Sequence, residues 1–235
     1  MKQYIVGVDL GRDTDPTAIV VGEDEGVPVG ITKQDGGGGF LEEKAINRFL
    51  RVVYIEQIPL KTNYIDIARR LAAITNHSLL AMRAEMYIDA TGVGRAVMDI
   101  LRNEQIKATG ITITSGATES VIGDRLAVPK VAIIDSAISL LHQGRISFAG
   151  GLDFADVMAM QLQQFKMKRR DNGRESYENS TDAVHDDLVI ALGLVSWVFL
   201  KRHGGSLTAI PGRGRIRRAI TEPFKRRPEW QRKAW

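Results

Sequence analysis

An apolar stretch at residues 188–200 most limits what this 235-residue chain can form. At 13 residues it is shorter than the roughly 20 residues that a membrane-spanning helix needs, so it predicts a buried helix over 186–202. A helix that is apolar on nearly all sides has to pack against another layer of the protein. We therefore expect this helix to lie against the rest of the fold.

The pattern of apolar residues elsewhere indicates a sheet that this helix can cover. Three consecutive strands come first, and strands then alternate with segments of helical periodicity, which predicts an α/β fold with a mixed sheet flanked by helices. The Gly36–Gly39 run predicts a flexible loop between the second and third strands. Strands are expected at 4–10, 17–22, 51–58, 85–90, 108–114 and 145–148, and further helices at 64–78, 94–105, 131–143 and 154–165.

A basic cluster precedes a turn signal in the last third of the chain. Asn172-Gly173 is a strong signal for a tight β-hairpin turn, so a hairpin is expected there. Its positive residues are candidates for contact with phosphates, and a solvated hairpin is the alternative. The candidates are Lys166, Lys168, Arg169 and Arg170.

Charge divides the chain into two parts. The first 200 residues carry a net −5, whereas the last 35 carry +9, although the whole chain has only +4. Such asymmetry favours a polyanionic partner, nucleic acid first, with a solvated tail as the alternative. We predict a folded domain over 1–203 and a basic, flexible tail over 204–235, whose candidate DNA contacts are Arg213, Arg215, Arg217 and Arg218.

Cysteine is absent and the four histidines are scattered. Disulfide scaffolds, cysteine nucleophiles and Cys-ligated zinc sites are therefore excluded, and a His-rich metal site is not expected.

Two aspartates end apolar strands in similar sequence contexts. Asp9 is followed by Leu10-Gly11, and Asp89 is followed by a turn containing Gly92. Functional groups of α/β sheets collect at the carboxyl ends of strands, so the two carboxylates are candidates for a shared metal site. The alternative for each is a structural role in a turn or at a helix start.

A third acidic element, His185-Asp186-Asp187, opens the apolar helix. One carboxylate would suffice to stabilise the positive end of the helix dipole, and two exceed that need. Carboxylates from three distant segments, without Cys or His ligands, suit hard cations such as Mg²⁺ or Mn²⁺. His185 is expected to support the site by assisting proton transfer or by packing beside the acids.

These three acidic sequence motifs together resemble the nuclease domain of the large terminase subunit of tailed bacteriophages. The similarity covers about residues 4–202 and rests on Asp9-Leu10-Gly11, on Tyr87-Ile88-Asp89-Ala90-Thr91-Gly92, and on His185-Asp186-Asp187-Leu188-Val189 in their order. It implies a ribonuclease-H-like fold, here with an expected five-stranded sheet.

The resemblance also implies an activity: endonucleolytic cutting of concatemeric viral DNA during genome packaging. Asp9, Asp89, Asp186 and Asp187 would be the catalytic residues and hold two divalent cations, Mg²⁺ or Mn²⁺, with Asp9 bridging both. Whether Asp186 or Asp187 is the essential ligand stays open. Implied partners are double-stranded DNA, the portal, the small terminase subunit and a separate ATPase domain or chain, in the host cytoplasm and without a membrane.

The chain departs from complete large subunits because it has no phosphate-binding motif of an ATPase motor. We therefore expect an excised domain or a separately encoded nuclease without ATPase activity. The alternatives are a RuvC-like junction resolvase or another ribonuclease-H-like nuclease, a DNA-packaging or DNA-binding module with a vestigial site, and an actin-like sugar kinase.

Overall fold

The computed structural model describes residues 2–11, 14–34, 40–92, 94–122, 125–169, 175–179 and 185–203. Ten strands and five helices lie within these ranges. The strands are β1 (Gln3–Asp9), β2 (Thr17–Gln34), β3 (Phe40–Ile58), β4 (Ala84–Asp89), β5 (Ala108–Thr114), β6 (Ser120–Ile122), β7 (Arg125–Pro129), β8 (Ile146–Phe148), β9 (Phe165–Arg169) and β10 (Glu175–Asn179). The helices are α1 (Tyr64–Thr75), α2 (Gly94–Asn103), α3 (Lys130–His142), α4 (Ala155–Gln164) and α5 (Asp187–Arg202).

The described strands form one mixed sheet of eight strands in the order β6-β7-β5-β4-β1-β2-β3-β8, and β9 and β10 form a separate antiparallel pair. The first three strands are adjacent and antiparallel, as the sequence predicts. β1 lies in the interior of the sheet because it also pairs with β4, in parallel. The carboxyl ends of β1 and β4 therefore lie at the same edge.

The predicted mixed α/β architecture is confirmed, but the expected count of five strands is wrong. β6 and β7, which the sequence pattern does not predict, extend the sheet beyond β5, whereas β8 is the strand expected at 145–148 and lies beside β3. β6 has only three residues, too few to show the periodicity that identifies a strand.

The second and third strands are also longer than expected. β2 continues to Gln34 and β3 begins at Phe40, and their residues pair one to one out to that end. Gly26, Val27, Pro28 and Gly30 of this extension are exposed, and glycine and proline weaken the sequence signal of a strand. The predicted Gly36–Gly39 loop lies outside the described residues.

Helices cover both faces of the sheet, as consecutive residues of β3 show. Gln57 points toward α5 and donates a hydrogen bond to Asp187. Its neighbour Glu56 lies on the opposite face and accepts hydrogen bonds from Arg70 of α1. Because successive side chains of a strand alternate between faces, α5 and α1 lie on opposite sides.

α5 is the central helix of the core. Residues 187–199 are all buried, which confirms the buried helix that the apolar stretch predicts. No described helix is long and apolar enough to cross a membrane.

Close approach between α5 and the sheet depends on Gly7 in β1. A Cβ atom at this position would lie 2.3 Å from the backbone oxygen of Ala191 and 2.8 Å from Cγ2 of Val195. Only glycine accommodates the helix at this separation. Asp9 lies two residues beyond Gly7, on the same face of the strand, and Asp187 lies one helical turn before Ala191. The same contact therefore brings Asp9 and Asp187 to one end of the fold.

Candidate active site

The four predicted aspartates line one cleft at the carboxyl ends of the central strands. The cleft measures about 610 Å³. Asp9 and Asp89 follow Val8 and Ile88, which are paired in the parallel register of β1 and β4, so the two carboxylates leave neighbouring strands side by side. Asp186 and Asp187 enter from the start of α5, and the cleft is lined by Asp9, Leu10, Gly11, Thr14, Asp15, Asp89, Ile113, Lys130, Asp186, Asp187 and Ile190.

Ionising the four aspartates together is unfavourable, because they repel one another and are partly buried. Burial raises the pKa of Asp9 well above its ordinary value, and the nearby charges of Asp89, Asp186 and Asp187 raise it further. The pKa of Asp89 is also raised, chiefly by burial. Such a cluster is ionised together only with positive charge nearby.

A lysine supplies part of that charge. Nζ of Lys130 lies 2.5 Å from Oδ2 of Asp186. Its positive charge also opposes the rise in the pKa of Asp9 and of Asp89. Lys130 is not among the site residues that the sequence predicts. The signal that could have found it is its place directly after Pro129, at the carboxyl end of β7.

Asp187 has surroundings unlike those of Asp186. It is only 2 % exposed, and both of its carboxylate oxygens accept hydrogen bonds from glutamine amides. Burial raises its pKa, and the bonds from Gln57 and Gln161 oppose that rise. Neither glutamine was a candidate from the sequence.

His185 lies at the edge of the cluster, where it contacts Asp15. Its Nδ1 atom is 2.7 Å from Oδ1 of Asp15, and this hydrogen bond lowers the pKa of the Asp15 carboxyl group. The two side chains connect the start of α5 to the loop after β1. His185 is thus placed beside the carboxylates, and the proton-transfer role suggested for it stays a prediction.

The carboxylate set fits a hard divalent cation by the chemistry of its oxygen donors. As the side chains stand, no group of three or more His, Cys, Asp or Glu within the described ranges is close enough to hold a metal ion. Asp186 is paired with Lys130, and Asp187 with its two amides. Coordination of a cation by Asp186 would therefore require the Lys130–Asp186 pair to open.

The predicted DNA contacts are only partly within the described residues. Lys166, Lys168 and Arg169 belong to β9, which pairs with β10 as the turn signal predicts, and nothing is described of their side chains. The remaining candidates, Arg170, Arg213, Arg215, Arg217 and Arg218, lie outside the described ranges, as does the whole predicted tail over 204–235.

Fold and cleft together define a mixed α/β domain with an acidic cleft beside β1, a central strand of its sheet. Solved structures with this architecture include the nuclease domains of viral terminases. The large terminase nuclease of thermophilic phage G20c with bound cobalt is 20% identical, with a TM-score of 0.53 over 83% of this chain and 80% of that chain. The same nuclease with bound magnesium is 19% identical, with a TM-score of 0.52 over 83% and 80% of the two chains.

A second phage gives the same result. The large terminase nuclease domain of Thermus phage P74-26 is 18% identical, with a TM-score of 0.52 over 83% of this chain and 78% of that chain. No protein-family profile and no curated protein sequence matches the chain. The comparisons therefore show that the chain has the fold of terminase nuclease domains, as the resemblance predicts.

Proposed function

We propose that this chain is a metal-dependent DNA endonuclease of the terminase type, which cuts concatemeric viral DNA during genome packaging. The observation that carries the proposal is the convergence of Asp9, Asp89, Asp186 and Asp187 on one cleft. The likeness in fold to nucleases solved with magnesium and cobalt supports it.

The proposed chemistry is phosphodiester hydrolysis. Two divalent cations, Mg²⁺ or Mn²⁺, held by the four carboxylates would activate a water molecule and stabilise the leaving 3′ oxygen. Asp9 and Asp89 offer oxygen ligands from adjacent strands, which fixes their spacing. Asp186 faces Lys130, and Asp187 is held in place by amides.

The lysine and the histidine have separate proposed roles. When Asp186 turns to a cation, the ammonium group of Lys130 becomes available to a phosphate oxygen of DNA. His185 and Asp15 lie at the mouth of the cleft, where protons can exchange with solvent. As partners we propose double-stranded DNA and, within a packaging assembly, the portal, the small subunit and a separate ATPase.

Plasmid cleavage tests the proposal. Supercoiled DNA is incubated with the purified chain and Mn²⁺, Mg²⁺ or EDTA, using wild type and the variants Asp9→Ala, Asp89→Ala, Asp186→Ala and Asp187→Ala. We expect metal-dependent cutting by wild type and loss of cutting in Asp9→Ala and Asp89→Ala. Asp99→Ala is the matched control, because Asp99 is exposed on α2 and pairs with Arg102 of the same helix.

Cutting in EDTA, or full activity in Asp9→Ala and Asp89→Ala, would contradict the proposal. Comparison of Asp186→Ala with Asp187→Ala identifies which of the two is essential. Parallel reactions with branched DNA and with an RNA–DNA hybrid separate a terminase-type nuclease, which acts on linear duplex DNA, from a junction resolvase or a ribonuclease H.

A further inference from the structure

Two glutamines from different elements hold the carboxylate of Asp187 between them. Nε2 of Gln57, near the end of β3, lies 2.7 Å from Oδ2 of Asp187. Nε2 of Gln161, in α4, lies 2.9 Å from Oδ1. Each oxygen of the carboxylate therefore accepts one amide N–H, and the carboxylate plane is fixed from two sides.

Gln161 makes a third contact that fixes its own orientation. Its Oε1 atom accepts a hydrogen bond from the backbone N–H of Leu188, at 3.0 Å. A flipped amide would place its NH₂ group against this N–H and its oxygen against the carboxylate. Gln161 is 2 % exposed, so water does not offer either group an alternative partner.

The same hydrogen bond gives a partner to a backbone N–H in the first turn of α5. The first backbone N–H groups of a helix lack partners within the helix. Asp186, at the N-cap position, makes no capping hydrogen bond with its side chain. Gln161 caps the helix from outside instead, so the position of α5 and the orientation of Asp187 depend on one side chain.

Asp186 has no such support. Its described partner is the ammonium group of Lys130, a flexible point charge, and the Asp186 side chain is 30% exposed. The two neighbouring aspartates thus differ in rigidity. Asp187 is preorganised before any ligand arrives, whereas Asp186 has to exchange its lysine.

We infer that Gln57 and Gln161 are positioning residues that aim Asp187 at the cation site, and that Asp187 is the preorganised ligand of the pair. This inference rests on the proposed function. Each amide occupies one lone pair of one carboxylate oxygen and leaves another lone pair of that oxygen free for a cation. Residues that orient a metal ligand in this way change metal affinity by about 10- to 100-fold when they are replaced.

The test measures Mn²⁺ binding by calorimetry and the Mn²⁺ concentration that gives half-maximal plasmid cleavage. The variants are Gln57→Met and Gln161→Met, which keep the length of the side chain and remove the amide. Gln143→Met is the control, since Gln143 follows α3 as its C-cap residue, and its side chain donates to Ser139 and accepts from Arg145, outside the cleft. We expect the half-maximal Mn²⁺ concentration to rise about tenfold or more in both variants, with part of the rate recovered at saturating Mn²⁺.

If Gln161→Met fails to fold because Gln161 is buried, Gln57→Met still decides the test. Gln57 is less buried, and it donates one of the two hydrogen bonds to the Asp187 carboxylate. A lower melting temperature with unchanged Mn²⁺ affinity in Gln57→Met would overturn the inference, because the amides would then serve packing alone. A wild-type chain that neither binds Mn²⁺ nor cuts DNA would overturn the proposed function itself, and the inference with it.

Discussion

Nζ of Lys130 lies 2.5 Å from Oδ2 of Asp186, so a cation of the protein itself occupies the acidic cleft. The pair is partly exposed, and its lysine opposes the rise in pKa of the deeper Asp9 and Asp89 carboxyl groups. This ammonium group both stabilises the metal-free cluster and competes with a divalent cation for Asp186.

Replacement of Lys130 by methionine is expected to have opposite effects on stability and on metal binding. The metal-free protein should lose up to about 1 kcal/mol of unfolding free energy, the upper range for an exposed ion pair. The dissociation constant for Mn²⁺ should fall by up to about fivefold, because the competing charge is gone. Urea denaturation in EDTA and calorimetric titration measure the two effects.

The control for this prediction is Lys107→Met, which removes an exposed lysine at the opposite edge of the sheet. It should change neither quantity. Weaker Mn²⁺ binding in Lys130→Met would contradict the prediction that Lys130 competes with the cation for Asp186. It would mean that the lysine favours the metal-bound state instead.

The raised pKa of Asp9 makes the stability of the metal-free protein depend on pH. The native state retains a proton on this carboxyl group to a higher pH than the unfolded chain does, in which the pKa is about 3.9. The native state therefore binds more protons, and the unfolding free energy falls as pH rises from about 4 through the raised native pKa. Asp9→Asn removes this contribution.

In EDTA we expect Asp9→Asn to be more stable than wild type near neutral pH, with the difference shrinking as pH approaches about 4. Each unit of raised pKa contributes about 1.4 kcal/mol to the difference. Urea denaturation across this pH range measures it, and Asp99→Asn serves as the exposed control. Some slope will remain in the variant because the pKa values of Asp89 and Asp187 are also raised. Parallel curves for wild type and Asp9→Asn would refute the prediction.

The sequence predicts Asp9 and Asp89 as neighbours because the relevant physics is local. Each ends an apolar strand, and the carboxyl ends of parallel strands meet at one edge. The position of Asp187 follows similarly from an apolar helix that has to cover the sheet. These inferences need only the type of each element and the end at which its polar residue lies.

The partners of those carboxylates follow from tertiary geometry instead. Gln57 is 130 positions from Asp187, and Lys130 is 56 positions from Asp186. A glutamine at the end of a strand or in an amphipathic helix has no local pattern that distinguishes it from a solvated one. Only the register of β3 and the packing of α4 against α5 decide which polar side chains enter the cleft.

Among the glycines of the sheet, Gly7 should be the one whose replacement by alanine lowers the stability of the protein most. In Gly7→Ala the added methyl group would meet the backbone oxygen of Ala191, which cannot move without shifting α5. We expect a loss of about 1–3 kcal/mol in unfolding free energy, the usual cost of overpacking, together with weaker metal-dependent cleavage because Asp187 moves with the helix.

The matched control is Gly30→Ala, since Gly30 lies in β2 and an added Cβ atom there would have no neighbour within 4 Å among the side chains that the structure describes. Urea denaturation and plasmid cleavage on both variants measure the effect. Equal stability of the two variants would show that α5 does not depend on close approach at Gly7.

The basic tail over 204–235 is predicted to bind DNA at a distance from the cleft. α5 has 16 residues and therefore spans about 24 Å, with Asp187 at one end and the root of the tail at the other. The root is anchored, because Nε2 of His203 lies 2.7 Å from Oδ2 of the buried Asp24. Truncation should accordingly retain His203 and begin at residue 204.

Removal of residues 204–235 should weaken DNA binding and reduce its salt dependence. The slope of log K against log salt should become shallower by about 0.9 for each phosphate that the protein no longer neutralises. The cleavage rate at saturating DNA should stay unchanged, because the tail begins far from the carboxylates. A full-length variant with Arg213, Arg215, Arg217 and Arg218 replaced by glutamine separates the removal of charge from the removal of chain. Fluorescence anisotropy over a salt series measures the slope, and an unchanged slope in both variants would mean that the tail is solvated or serves a protein partner.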